Sequence, residues 1–299
     1  MSDLNSFKSE IDLILFAASH GYFIDEKASA QNYKMMRNAQ DDKIAVMLNA
    51  ENGQWVYCSN RDPDDNGSII DFLINRGYGR NDWRRIAATL REWNGEATPL
   101  KYTPLQPVKK DVQQVVTEYE KAQFKASVPY LVGRGLDAAL TGSPRFKDTF
   151  KVDWRGNVLF PHYNKQGLCG FEKKNHNFTG FASGAFKGLW FSNFFLTDKV
   201  LVITESAIDG LSYHALHKIE NARYLSIGGN MNEDQLALLR GAMQKVVGCE
   251  AHLAFDNDKD GEKLADQVRQ VAPPDVRITR PWPRAKDWNQ DLKNKLGLE

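Results

Sequence analysis

The chain has 299 residues, a 42% hydrophobic share and a formal net charge of +1. That length allows two or three domains, and the apolar share is enough for true cores, so disorder is not the default. A near-neutral balance excludes a protein that merely coats nucleic acid; it suits an enzyme that sets local basic contacts beside an acidic site.

Residues 1–94 read as a first unit. A helix is expected over 11–20, strands over 43–48 and 54–58 around the turn Asn52-Gly53, and helices over 68–75 and 82–93. Residues 95–112 hold Pro99, Pro104 and Pro107 and read as a linker. Residues 113–197 form a second unit, with a helix from 112 to 125 and strands over 157–161 and 168–172. The stretch 178–190 is rich in Gly and Phe and is expected to be irregular or built of short strands. From 198 to 299 strands at 200–204, 224–227, 251–255 and 276–279 alternate with helices at 207–218, 233–244 and 262–271. That alternation implies βαβ units and a mainly parallel sheet.

Cys58, Cys169 and Cys249 are far apart and include no C-x-x-C pair, which disfavours zinc and a disulfide framework. The first ten residues lack a signal-peptide core and no apolar run approaches a membrane span, so a soluble, cytoplasmic protein without a membrane partner is expected.

In an open α/β sheet ligands sit outside the carboxyl ends of the strands. Glu205 follows the first strand of the last unit, Gly228-Gly229 the second, and Asp256, Asp258 and Asp260 the third. If the strands are neighbours, Glu205 and Asp256 converge on one rim. Clustered carboxylates repel, and a divalent cation relieves that cost. Oxygen ligands without His or Cys favour Mg²⁺ or Mn²⁺. A solvated turn is the plain alternative for 256–260. An EF-hand is disfavoured, because position 267 is Gln and a strand precedes the loop.

The segments L-V-I-T-E-S-A-I-D-G-L-S (201–212) and A-F-D-N-D-K-D-G (254–261) resemble the Toprim domain of bacterial primases, topoisomerases and certain nucleases. The resemblance implies catalytic and metal-binding roles for Glu205, Asp256 and Asp258, with Asp209 and Asp260 as further metal-site acids. Lys286-Asp287-Trp288-Asn289 is similar to the K-D-P-D segment that closes the primase Toprim region. Upstream, residues 128–136, 157–164 and 167–175 resemble the primase segment that helps form the cleft for template and nucleotides. That implies nucleic-acid or nucleotide contacts from Arg134, Lys173, Lys174, Lys187 and Lys286. Residues 11–93 look like a decayed primase zinc ribbon in which only Cys58 of a possible ligand set remains, so no zinc is expected. The fold class implied is α/β, α+β overall: a Rossmann-like Toprim sheet after a primase-like α+β subdomain and a small degenerate ribbon. Zinc-less arrangements of this kind resemble Toprim proteins of plasmids and other mobile elements. The resemblance leaves no room for the primase helicase-binding domain.

Arg80, Arg84, Arg85 and Arg91 lie on or beside the helix 82–93, accompanied by Trp83 and Trp93. Arginines with aromatics suit single-strand binding; a solvated face with tryptophans in the core is the alternative, and core packing is the expectation for the tryptophans and for the aromatics of 178–195, with base stacking at one or two of the latter as the alternative. His162 is expected to be a neutral hydrogen-bonding histidine. The reading reached is a metal-dependent, primase-type nucleotidyltransferase whose partners are single-stranded DNA and nucleoside triphosphates. A Toprim nuclease and a catalytically idle DNA-binding accessory protein are the alternatives, and a topoisomerase is disfavoured because no catalytic-tyrosine domain is visible.

Overall fold

The computed structural model describes the chain except residues 1, 50–51, 60–61, 63–64, 80–81, 94–101, 103–104, 106–108, 177, 247, 249 and 299. Arg80, Cys249 and most of the expected linker lie outside the described residues. The chain divides into two compact units, Met1–Lys109 and Lys110–Glu299. No helix among the described residues is long and apolar enough to cross a membrane.

The first unit contains α1 (Ser2–Glu10), α2 (Leu13–Ser19), β1 (Phe23–Ile24), β2 (Tyr33–Arg37), β3 (Lys43–Leu48), β4 (Trp55–Ser59), β5 (Asn66–Gly67), α3 (Ile69–Asn75) and α4 (Trp83–Glu92). The strands form one antiparallel sheet in sequence order. Local chemistry sets the helix starts. Asp12 accepts from the amides of Ile14 and Leu15, Asp71 from the amide of Ser68, and Asp82 from the amide of Arg85. Ile14, Phe16, Ile44, Val46, Phe72 and Leu73 fill the core. Arg76 ties the unit together. Its guanidinium lies 4.2 Å from the Phe72 ring centre, reaches Asp42 and Asp65 at 3.0 Å, and donates to the Tyr22 hydroxyl at 2.8 Å. Trp93 packs against this core, whereas Trp83 is 48% exposed. The expectation of a core tryptophan at 83 fails because that residue opens α4 on its solvent side.

The second unit continues with α5 (Val112–Glu120), α6 (Pro129–Val132), α7 (Ala138–Thr141), β6 (Lys151–Val152), β7 (Val158–Asn164), β8 (Gly167–Asn175), β9 (Phe178–Phe181) and β10 (Trp190–Phe191). It then runs β11 (Val200–Thr204), α8 (Ala207–His217), β12 (Ala222–Ser226), α9 (Glu233–Lys245), β13 (Glu250–Leu253), α10 (Lys259–Val271), β14 (Arg277–Thr279) and α11 (Trp288–Leu296). Strands β6 to β9 make an antiparallel sheet. The last sheet has the order β10-β12-β11-β13-β14, parallel except at β10.

The run Val-Leu-Val-Ile-Thr is buried on both faces, as a central parallel strand requires. Alternation divides it. Val200 and Val202 face a core with Ile208 and Leu211 of α8, Trp288 and Leu292 of α11, and Phe150 and Phe160 of the preceding sheet. Leu201 and Ile203 face Leu239 and Met243 of α9 and Leu264 and Val268 of α10. Helices thus cover both faces of a doubly wound sheet. Burying each such side chain contributes roughly 1.5–3 kcal/mol. Ahead of β11, Arg145 grips Asp198 through two hydrogen bonds of 2.6 and 2.8 Å, both residues being buried.

Candidate functional site

β11 lies between β12 and β13, so the residues leaving their carboxyl ends share one rim. Glu205 leaves β11, and Ser206 then caps α8 by accepting from the amide of Asp209. The backbone oxygen of Glu205 accepts from the amides of Gly228 at 2.9 Å and Gly229 at 3.2 Å. Both glycines have positive φ, +67° and +86°. A Cβ at Gly228 would come within 2.8 Å of His162 Cε1, so the glycine pair gives the turn both its handedness and its room.

Asp256 leaves β13 and Asp258 caps α10, accepting from the amide of Gly261 at 2.9 Å. Gly261 is the only residue type that fits there, because a Cβ would overlap the backbone oxygen of Asp256. The loop is buttressed from the far side. Arg280 donates to the backbone oxygens of Leu253, Phe255 and Asp256, Asn257 donates to that of Pro283, and the Trp288 indole donates to that of Ala254.

The acids act on one another. Burial first, then Asp209 and Asp258, raise Glu205 to about 7. Burial, then Asp209, Glu205, Asp287 and Asp258, raise Asp256 to about 8. Burial also raises Asp209, whose carboxylate accepts from the Ser206 hydroxyl at 2.5 Å and the amide of Asn289 at 3.3 Å. Asp287, which caps α11 through the amide of Gln290, joins this field although it was not among the acids singled out from sequence. Asp260 sits in the first turn of α10 and is not among the main influences on Glu205 or Asp256.

Of the basic residues, Lys174 and Lys286 lower Glu205, and Lys187 feels both Glu172 and Glu205. These three therefore address the acidic rim. Lys187 donates to the backbone oxygen of Asn230 at 2.8 Å, beside the glycine turn. Lys173 points to the opposite face of β8 and pairs with Glu118 on α5 at 2.7 Å. Arg134 donates to the Asn289 side chain at 3.2 Å, and Asn289 returns a bond to the backbone of Arg134, so this arginine braces α11. Arg84 and Arg85 belong to α4 of the first unit, where Arg85 stacks on Tyr78 at 4.3 Å. His162 is fully buried, accepts or donates at 2.7 Å with the Gly188 oxygen, and is lowered to about 4 by burial.

Among the described residues no three His, Cys, Asp or Glu side chains stand arranged around a common point for a metal ion. The chemistry of the rim nevertheless suits a hard cation. Its donors are all carboxylates, two of them are held far above the usual range by burial and by neighbouring carboxylates, and Asp256 Oδ1 is buried without a hydrogen-bond partner.

Residues 202–292 match the family described as Toprim-like, and residues 129–198 match one described as a protein of unknown function, DUF3991. No curated protein matches the chain. Among solved structures, the chain is similar to the primase fragment of the bacteriophage T7 primase-helicase protein, at 16% identity and a TM-score of 0.43. That likeness covers 67% of this chain and 80% of the other. It is also similar to a chain in a bacteriophage T7 lagging-strand DNA polymerase assembly with primase domains bound to an RNA/DNA hybrid and dTTP. There the identity is 17%, the TM-score 0.39, and the coverage 57% of this chain and 86% of the other. Residues 202–292, laid over a doubly wound sheet whose strand ends carry Glu205 and Asp256, match as a Toprim-like domain within this chain.

Proposed function

We propose that this chain is a primase-like nucleotidyltransferase that joins nucleotides on a single-stranded DNA template. The observation that carries the reading is the rim itself: Glu205 and Asp256 leave adjacent parallel strands, burial and the neighbouring carboxylates raise the proton affinity of both, and Asp256 keeps an orphaned oxygen. Glu205, Asp256 and Asp258 would hold Mg²⁺ or Mn²⁺, with Asp209 bracing the rim from below. A divalent ion bound there supplies Lewis-acid stabilisation of the phosphate under attack.

The chain's own groups do the rest. Lys174, Lys187 and Lys286 meet the triphosphate and offset the charge of the departing pyrophosphate. The 3′-hydroxyl attacks the α-phosphate, the bond to pyrophosphate breaks, and the hydroxyl proton passes to solvent. Arg280 and Gly261 fix the backbone of the Asp256 loop during the reaction. The upstream resemblance to the primase cleft supports synthesis over cleavage.

The test is primer synthesis on single-stranded DNA with labelled nucleoside triphosphates and Mg²⁺ or Mn²⁺. New oligomers that vanish with Asp256→Ala/Asp258→Ala support the proposal. Metal-dependent shortening of the DNA instead would replace it with a nuclease, and DNA binding without either product with an accessory protein.

A further inference from the structure

A groove of about 650 Å³ opens between the carboxyl-terminal turn of α8 and α11, walled by the segment that joins β14 to α11. Leu216, Trp282, Arg284, Trp288, Asp291 and Lys295 are among the residues that line it. Glu205, Asp256 and Asp258 are not, so the groove is distinct from the acidic rim. Its volume is that of a small-molecule site.

Asp291 is the only acid among the lining residues, and its charge is spent inside the fold. One carboxylate oxygen accepts from the amide of Arg284 and the other from that of Ala285, each at 2.7 Å. Arg284 and Lys295 are exposed, and neither pairs with a carboxylate among the described residues. They stand in the same groove as an open aromatic ring. Trp282 lies 3.8 Å from the Arg280 guanidinium at its ring centre and is still 49% exposed. Leu216 and the buried Trp288 add apolar lining. A flat ring beside two unmatched cations, in a cavity of this size, suits a base stacked on the indole with its phosphate at Arg284 and Lys295.

The walls of the groove also support the Asp256 loop. Arg280, against Trp282, donates to the backbone oxygens of Leu253, Phe255 and Asp256. The Trp288 indole donates to that of Ala254 at 2.9 Å. Asn257 donates through its amide to the backbone oxygen of Lys286 at 2.8 Å and through its side chain to that of Pro283 at 3.1 Å. A ligand that shifts Trp282 or the segment 283–286 therefore shifts the backbone from which Asp256 and Asp258 depart. Linkage makes the effect mutual: a metal on the rim changes the ligand's affinity by the same factor.

We propose that this groove is a regulatory site for a nucleoside phosphate, free or at the end of a strand, and that its occupation alters divalent-metal affinity at the rim. The site is argued from the groove alone; its effect rests on the metal role proposed above.

Isothermal titration calorimetry of adenosine monophosphate into the full chain, in EDTA so that no metal on the rim competes, tests the site. One site per chain is expected, kept in Lys187→Ala, weakened about tenfold or more by Trp282→Ala and abolished by Arg284→Glu/Lys295→Glu. Trp282→Phe keeps a ring on Arg280 and should recover most of the binding, which separates stacking from a fold defect. A 5′-phosphorylated oligothymidylate that displaces the nucleotide and needs Trp282 supports the same site with a strand end as its source. The effect is read by Mn²⁺ titration: saturating adenosine monophosphate should change Mn²⁺ affinity about fivefold or more in the parent and leave it unchanged in Arg284→Glu/Lys295→Glu. No nucleotide binding, or binding lost in Lys187→Ala and untouched by the groove variants, overturns the site. Groove-dependent binding with unaltered Mn²⁺ affinity overturns the regulatory role. Groove-dependent binding in a chain that takes up no Mn²⁺ removes the metal reading and the effect with it, and leaves the site; Mn²⁺ binding and primer synthesis without nucleotide binding in EDTA do the reverse.

Discussion

Arg280 donates to the backbone oxygen of Asp256 at 2.7 Å while its other nitrogen serves those of Leu253 and Phe255 at 3.0 Å. One buried guanidinium thus holds the carboxyl end of β13, from which the candidate metal ligands depart. Replacing it with Ala leaves these carbonyls without donors, and a buried unsatisfied group costs about 1–3 kcal/mol. Arg280→Ala should lower unfolding stability by roughly 2 kcal/mol or more and weaken Mn²⁺ binding; Arg280→Lys should recover part of both. Urea unfolding and a Mn²⁺ titration measure the two effects.

Gly261 carries a steric prediction. Adding a methyl group forces the Asp256 carbonyl or the first turn of α10 to move. Gly261→Ala should leave the core spectroscopically intact and reduce divalent-metal affinity at least about tenfold, a loss of about 1.4 kcal/mol. Unchanged metal affinity would separate the Asp256 loop from metal binding.

The raised carboxylates set a pH dependence. Glu205 rises from 4.5 to about 7 and Asp256 from 3.8 to about 8, so the metal-free fold binds more protons than the unfolded chain across that interval. Its stability therefore falls as pH rises from about 4 toward 8. Mn²⁺ should stabilise the chain more at pH 8.5 than at pH 6, and Asp256→Asn should raise the melting temperature of the metal-free protein at pH 8.5. Differential scanning fluorimetry with and without metal reads both.

His162 works in the opposite sense. Its affinity for a proton is lowered from 6.5 to about 4 by burial, so its neutral form supports the fold above pH 6.5 and that support is lost as pH falls through 4. The stability difference between the parent and His162→Gln should shrink over that window by up to about 3 kcal/mol. A difference independent of pH would mean that His162 has the same proton affinity in the folded and unfolded chain.

Much of the last unit is legible from sequence because its signals are local. The β-branched run at 200–204 and the polar residues Ser206 and Asp258 at helix starts mark β11, α8 and α10 directly. The placement of Glu205 and Asp256 on one rim follows once β11 and β13 pair. Other parts have no local signature. Tyr33–Arg37 lacks alternation, so β2 is not visible before its partner β3 is in place. The role of Arg280 depends on three carbonyls that meet only in the folded loop. Lys173 and Lys174 look like one basic pair, yet the twofold period of β8 sends the first to Glu118 and the second toward Glu205. The aromatics of 178–195 divide by position: Trp190 pairs into the sheet and is fully buried, whereas Phe178, Phe186, Phe194 and Phe195 lie at turns and edges and are exposed.

The most direct measurement is Mn²⁺ binding to the full chain by electron paramagnetic resonance, beside Glu205→Gln and Asp256→Asn variants. The account predicts saturable binding that tightens as pH rises from 6 to 8.5, as Glu205 and Asp256 lose their protons, and that falls sharply in either variant. Binding of equal strength in parent and variants, or none at any pH, would contradict a metal site on this rim.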